Sequence, residues 1–428
     1  MFRHGRASRP AACGPPSNRL FSHRLRFIDL LAASAVLVSC GDSTAPTGGG
    51  QPPPASQVSD VLVTTETVGD DQDPDGYSLV VDGQPGIAIG SNEQLTVGGL
   101  AEGSHSLFLD GIAENCRVTN VDQPVSVSVS VDETITLTFV VFCLAPDSGT
   151  IYYIKTGLTI SSMNAIGGDR ATIRASPSDV HAIAVSPNGD RIAYTHGPGA
   201  GLWDIYTMDV DGSNRVQLTG LEGPFTGRDV FPAWSPDDLR IAYQSGRDFS
   251  QGELHDIFVM NADGTGRVNI TNTPSAFDRT PAWSPDGTRI AFSRDFQQSR
   301  SIYVMNPDGS DVRPLTAGTE VGDWFPVWSP NGSQIAFSKS LSQEAPSLGT
   351  PSEIFVMNAD GTGGLRQLTD FGPSAEALSA DWSPDGRWIV FYVIFGPCCG
   401  SVAIYVMRED GTDLVRLLSG GGEPDWVQ

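Results

Sequence analysis

The 428-residue chain carries 26 Lys and Arg against 50 Asp and Glu, a formal charge of −24, so nucleic acid and anionic lipid are excluded as direct partners of its folded part. Its 48 Gly and 30 Pro suit turn-rich β structure, and its length allows two domains with a sizeable core. No long helical period is visible among its short alternating apolar runs. Residues 1–40 read as a targeting segment: Arg19, Arg24 and Arg26 precede an apolar run, Leu30 to Val38, that is too short to span a bilayer.

That run ends in Leu37-Val38-Ser39-Cys40, which resembles the lipobox of bacterial lipoproteins. The resemblance implies cleavage before Cys40 and lipidation of Cys40, with the lipid as the membrane contact of a cell-envelope protein. An ordinary secretory signal with a chance cysteine is the alternative. Gly41 stands where an aspartate would favour inner-membrane retention in that family, so the expected place is the outer membrane facing the periplasm, or outside. The stretch before Arg19 is long for such a signal and points to a start downstream of Met1. Residues 41–57, rich in Gly and Pro, read as a tether.

Residues 58–145 hold about seven alternating strands, among them YSLVVDG, PVSVSVSV and TITLTFVVFC, and read as a small β-sandwich. The pattern resembles immunoglobulin-like or carboxypeptidase-regulatory-like accessory modules of secreted bacterial proteins. Cys116 and Cys143 are its only cysteines, and an oxidising envelope favours a disulfide between them over two buried thiols. Asp71, Asp73, Asp75 and Gly76, with Asp82 eleven residues after Asp71, match the spacing of a calcium loop. The last position is Asp rather than Glu and strands flank the loop, so an acidic solvated turn is the competing reading. No other cofactor is expected.

From about residue 149 the chain repeats. AWSPDGTRIAFS at Ala282–Ser293 and SIYVMNPDGSDVRPLT at Ser301–Thr316 form one unit of four strands joined by Pro-Asp-Gly and Asp-Gly turns. Copies of its tryptophan turn begin at 184, 233, 327 and 381, and Trp234, Trp283, Trp328 and Trp382 are spaced by 49, 45 and 54 residues. Four strands per repeat at this period indicate a β-propeller. The chain ends in Pro424-Asp425-Trp426, a first strand without a second, while GTIYYIKT from Gly149 is a second strand without a first. Joining them gives six blades and removes two strand edges. The expected fold is therefore all-β, a sandwich followed by a six-bladed propeller over 149–428.

The WSPDG turn followed by IYVM(N/D)xDG and LT resembles the WD-like repeats of TolB, the periplasmic propeller of the Tol–Pal system. Similar blades occur in the non-catalytic propeller of the prolyl oligopeptidase and dipeptidyl peptidase IV group. The resemblance implies a protein- or peptide-binding scaffold and no enzyme. Neither a Gly-x-Ser-x-Gly elbow nor a following hydrolase segment supports nucleophilic catalysis. Some pectin-fragment lyases with TolB-like blades use a histidine cluster in the channel, which makes a carbohydrate-binding or carbohydrate-active propeller the alternative. His105, His181, His196 and His255 are not at ligand spacing, although His181 sits where it can face the channel. Cys398 and Cys399 form either a vicinal disulfide or a pair of loop thiols.

Counting back from each tryptophan or its equivalent gives Asp179, Asp229, Asp278, Asp323, Glu376 and Glu423, one carboxylate at each inner-strand start. Such a ring would focus negative potential at the channel mouth and attract a basic peptide segment of an envelope protein, or a cation. The competing reading is that each carboxylate caps its own loop or pairs with a nearby arginine.

Overall fold

The computed structural model describes residues 58–131, 133–145, 148–155, 159–175, 180–199, 202–220, 228–246, 255–296, 299–317, 322–341, 350–396 and 400–428. The signal and tether with Cys40, and also Asp179, Cys398 and Cys399, lie outside the described residues.

Residues 58–143 form two four-stranded sheets. The first has the order Gln94–Ala101, Val58–Gly69, Thr134–Cys143, Cys116–Val118; the second has Ile87–Ile89, Tyr77–Val81, Gly103–Asp110, Val125–Val129. Val58–Gly69 runs parallel to Thr134–Cys143 and antiparallel to Gln94–Ala101. Tyr77–Val81 shows why these segments become strands. Tyr77, Leu79 and Val81 are buried while Ser78 and Val80 are half-buried, the period of two that a sheet with one covered face selects. The buried faces share one core, including Val61, Val63, Leu79, Leu107, Phe139 and Val141. Cys116 and Cys143 sit opposite each other in register and are joined by a disulfide with an S–S distance of 2.04 Å.

Three carboxylates of the calcium-loop spacing are held by other partners in this structure. Asp71, Asp73 and Asp75 lie before the strand Tyr77–Val81 and Asp82 directly after it. A five-residue strand holds its first and last residues about 13 Å apart. Asp82 instead pairs with His105 Nδ1 at 2.6 Å and accepts from the Ser106 N–H. Asp73 accepts from Ala113 N–H, and Asp71 from the Asn115 amide. Among the described residues no group of three or more His, Cys, Asp or Glu side chains is placed to hold a metal ion.

The remaining strands form six antiparallel sheets of four. Five run in chain order, beginning at Val180–Val185, Asp229–Trp234, Phe277–Trp283, Asp323–Trp328 and Ala375–Trp382. The sixth pairs Thr150–Lys155 with Gly421–Val427, so the last strand completes the first sheet. One parallel bridge, Ser352 to Glu376, links two neighbouring sheets. Each sheet's innermost strand packs against the next, and Gly421–Val427 packs against both Ala375–Trp382 and Val180–Val185, closing a ring.

The repeat motif explains the stacking. In Ser-Pro-Asp-Gly, the Gly287 N–H donates to Ser284 O and the Ser284 N–H to Arg289 O, each at 2.9 Å. Gly287 has φ +69°, and a Cβ there would meet Pro236 of the preceding sheet's turn at 3.2 Å. The indoles fasten neighbours: Trp234 Nε1 donates to Ala184 O at 3.1 Å and Trp328 Nε1 to Ala282 O at 3.2 Å. Trp234 also joins Ala193 and Ile205 of the previous sheet to Ile241 and Tyr243 of its own. In the outer hairpins Asp263, Asp308, Asp360 and Asp410 each accept a backbone N–H two residues on, so these Asp-Gly turns are structural.

The N-terminal sheets are seated on the ring. Asp70 accepts from Trp388 Nε1 and pairs with Arg408 Nη1, both at 2.7 Å, and Phe142 meets Trp388 edge-on with centroids 5.2 Å apart.

Candidate functional site

The innermost strands share an irregularity. Each shifts register with its neighbour just before the tryptophan position, between Val180 and Ile183, Val230 and Ala233, Arg279 and Ala282, Trp324 and Val327, Leu378 and Asp381, and Gly422 and Asp425. Five bulge residues adopt left-handed backbone: Phe231, Thr280, Phe325, Ser379 and Glu423, with φ between 46° and 54°. A proline follows four of them, and each left-handed non-glycine residue costs on the order of 1 kcal/mol. A bulge places two successive side chains on the same side of a strand. Here Arg279 with Thr280, Trp324 with Phe325 and Leu378 with Ser379 line the channel enclosed by the ring.

The bulge residues form a waist between two cavities. Beyond them in one direction lies a space of about 170 Å³ lined by Pro232, Pro281, Pro326 and Pro424. In the other lies a pocket of about 460 Å³ lined by His181, Arg279, Trp324 and Leu378, all four residues before the tryptophan position, with Gln244, Arg300, Glu376 and Tyr392. A larger, more open space of about 690 Å³ separates the N-terminal sheets from residues 416–419. Two of its arginines are held by backbone: Arg117 donates to Gly167 O, and Arg170 to Gly167 O and Leu417 O.

The expected ring of six carboxylates divides. Asp229, Asp278 and Asp323, five residues before their tryptophans, do not line the pocket. Alternation turns them into their own sheets, opposite Ser245, Arg294 and Lys339 respectively. Asp278 is 0% exposed and takes a two-pronged contact from Arg294 at 2.6 and 2.8 Å. Asp323, also 0% exposed, meets Lys339 Nζ at 2.7 Å. Asp229 faces a serine instead of a cation, and burial raises its pKa to about 6. Glu376 and Glu423 do reach the pocket. Glu376 stands one position further back than those aspartates, on the opposite face, and Glu423 occupies a bulge.

Sequence reasoning missed the cationic and aromatic lining. Arg300 is 5% exposed, lies over the Trp324 ring at 3.1 Å and donates from Nη2 to Asp295 at 2.7 Å. Burial lowers its pKa to about 10, which leaves it cationic at neutral pH. His181 packs edge-on against Trp203 and Phe231. Glu423 accepts from Ser379 Oγ and Tyr392 OH, both at 3.0 Å, and burial raises its pKa to about 7. Beside it, Asp425 accepts from the Val185 N–H and Asp381 from the Trp426 N–H. Burial raises the pKa values of both, and the neighbouring Asp425 raises that of Asp381 further.

A pH dependence follows. The folded-state value for Glu423, about 7, exceeds the ordinary 4.5, so the folded protein keeps that proton over the interval between them. Its contribution to stability is therefore greatest below about 4.5 and falls as pH rises through 7. Tyr392, Ser379, Glu376 and the Asp381–Asp425 pair are the groups around it. Asp229 acts in the same sense up to about 6, while His255, lowered to about 4 chiefly by burial, acts in the opposite sense. Between pH 4.5 and 8, Glu423→Gln is expected to lose about 3 kcal/mol less than wild type in urea titrations. Equal losses would show that Glu423 ionises without penalty.

Residues 225–347 match the family model described as the TolB beta propeller domain. No curated protein matches the chain. Solved structures similar to it include TolB from Acinetobacter baumannii, 21% identical over 65% of this chain and 66% of that one, with a TM-score of 0.53. They also include a putative TolB from Agrobacterium tumefaciens, 20% identical over 64% and 90%, TM-score 0.50. Kuenenia stuttgartiensis hydrazine synthase is similar as well, 15% identical over 65% and 46%, TM-score 0.53. The chain thus spans about two thirds of the length of the Acinetobacter protein. At these identities the likeness concerns the fold, and the fold of the repeat region is a TolB-like β-propeller.

Proposed function

We propose that the six sheets are the blades of one closed six-bladed propeller over 149–428, and that this propeller is a binding scaffold for a protein or peptide of the cell envelope. In this reading residues 1–40 are a lipoprotein signal and Cys40 carries the lipid. Residues 41–57 tether the folded part, residues 58–145 are an immunoglobulin-like sandwich, and the protein resides at the outer membrane or outside it. The fold shared with the two TolB structures supports an envelope role. One observation carries the binding role: five bulges that cost backbone energy all turn side chains into one channel.

The test is site-specific photocrosslinking in intact envelopes, with the crosslinking residue at Phe325 on the channel waist or at Leu239 on an exposed turn. A discrete adduct from position 325 that is missing from position 239 is the expected result. The reverse pattern would move the binding face away from the channel. A carbohydrate ligand is the second reading, favoured by Trp324 and Phe325 beside Arg279 and Glu376. Loss of the Phe325 adduct on adding oligosaccharides would select it.

A further inference from the structure

Three pocket-lining side chains hold polar atoms that are buried and find no partner among the described residues. They are Arg300 Nε and Nη1, Gln244 Oε1 and Ser340 Oγ, on residues 5%, 3% and 2% exposed. Leaving such atoms unmatched costs on the order of 1–3 kcal/mol each, and more on a charged group. The three belong to successive sheets, those starting at Phe277, Asp229 and Asp323 respectively, and so form one wall of the pocket. Arg279 lies on the same sheet as Arg300, close enough for the two charges to act on each other, and Asp295 is the carboxylate paired with Arg300. Arg300 and the Ser340 hydroxyl can donate to an anion at this wall, while Gln244 Oε1 can only accept.

The opposite wall carries carboxyl groups. In the ring of inner strands, Gly421–Val427 lies three steps from Phe277–Trp283 in either direction and therefore faces it across the channel. It supplies Glu423, and the neighbouring Ala375–Trp382 supplies Glu376. Phe231, Trp324 and Phe325 provide the apolar lining of the same pocket, whose volume of about 460 Å³ suits a small molecule. A simple anion would answer only one of these walls, and a neutral sugar neither.

We infer that this pocket binds a small zwitterion with a free carboxylate directed to Arg300 and a free ammonium directed to Glu423, an amino acid or dipeptide with both ends unblocked. The inference rests on the binding reading of the channel and names its ligand chemistry. Charge-assisted contacts at both ends make each terminus count.

Calorimetric titration of the full chain with phenylalanine, Ala-Phe, N-acetyl-Ala-Phe and Ala-Phe-amide tests it. Phenylalanine or Ala-Phe should bind, their ratio reporting the preferred length, and each blocked dipeptide should bind about tenfold or more weakly than Ala-Phe if the dipeptide is preferred. If phenylalanine is preferred, N-acetylphenylalanine and phenylalaninamide take the place of the blocked dipeptides, with the same expectation. Arg300→Met should abolish the penalty for amidation and Glu423→Gln the penalty for acetylation. Equal binding of blocked and unblocked ligands, or no binding by any of them, would overturn the inference. Should Arg300→Met fail to fold, the blocked ligands on wild type decide alone. Failure here with the Phe325 adduct intact leaves the protein-binding role standing, whereas loss of both removes the channel from function altogether.

Discussion

A protein lacking residues 421–428 will unfold at least about 5 kcal/mol more easily than the full chain, and its first sheet will be open along one edge. The estimate begins with Trp426, which is 4% exposed, since losing a buried tryptophan alone costs about 3–5 kcal/mol. Its indole donates to Ser148 O at 2.7 Å and its backbone N–H to Asp381 at 2.7 Å. Both acceptors lose their donors on truncation, and Val185 N–H loses Asp425. Pairing is lost from Gly421 with Lys155 to Val427 with Thr150, leaving Thr150–Lys155 as an unpaired edge. Urea unfolding followed by tryptophan fluorescence, with light scattering for aggregation, measures the effect. A truncated protein with the midpoint of the full chain would mean that this strand does not hold the ring together.

Replacing Asp278 with Ala should cost about 3–5 kcal/mol, because Arg294 would remain largely buried without its counter-charge. Thr273 Oγ1, which donates to the same carboxylate at 2.8 Å, loses its acceptor too. The equivalent Asp229 has Ser245 opposite it, so its charge is unfavourable above about pH 6 and Asp229→Asn should be neutral or stabilising at pH 7.5. Adding Arg294→Met to Asp278→Ala should restore much of the loss, since a buried pair replaced by apolar groups is often tolerated. If Asp278→Ala and Asp229→Asn give the same urea midpoint, the strand-paired cation is not what sets the stability at this position.

Most of the architecture was legible because the motif that builds a sheet also stacks it. The tryptophan, the Ser-Pro-Asp-Gly turn and the Asp-Gly hairpin recur with their structural partners close in sequence. The closing strand was readable because Asp425-Trp426 matches the Asp381-Trp382 pair but lacks a following strand. The pocket was harder to read for a reason of parity. Counting five residues back from each tryptophan selects the face that packs into the sheet, while the channel takes the residues three and four back, His181, Arg279, Trp324, Phe231, Phe325 and Glu423 among them. A bulge breaks simple alternation, and its sequence mark here is a residue followed by Pro two places before the tryptophan. Arg300 and Gln244 lie on strands further out in their sheets, and no local pattern announces them. The calcium spacing took no account of the five-residue strand Tyr77–Val81, which sets Asp82 apart from Asp71, Asp73 and Asp75.

The stacked turns have a consequence for how such a chain can diversify. Gly287, Gly332 and Gly386 each sit 3.2–3.5 Å, measured from an added Cβ, from the proline of the turn before, so that end of the ring has no room for inserted residues. Length varies elsewhere: between second and third strands the chain has two residues after Phe296, eight after Gly246 and eleven after Ser340. Ser340, Thr350 and Ser352, which lie in or beside the longest of these connections, line the pocket of about 460 Å³. One end of the molecule is thus a fixed chassis and the other a set of interchangeable fittings, so selectivity can drift across related chains while the ladder of turns stays as it is.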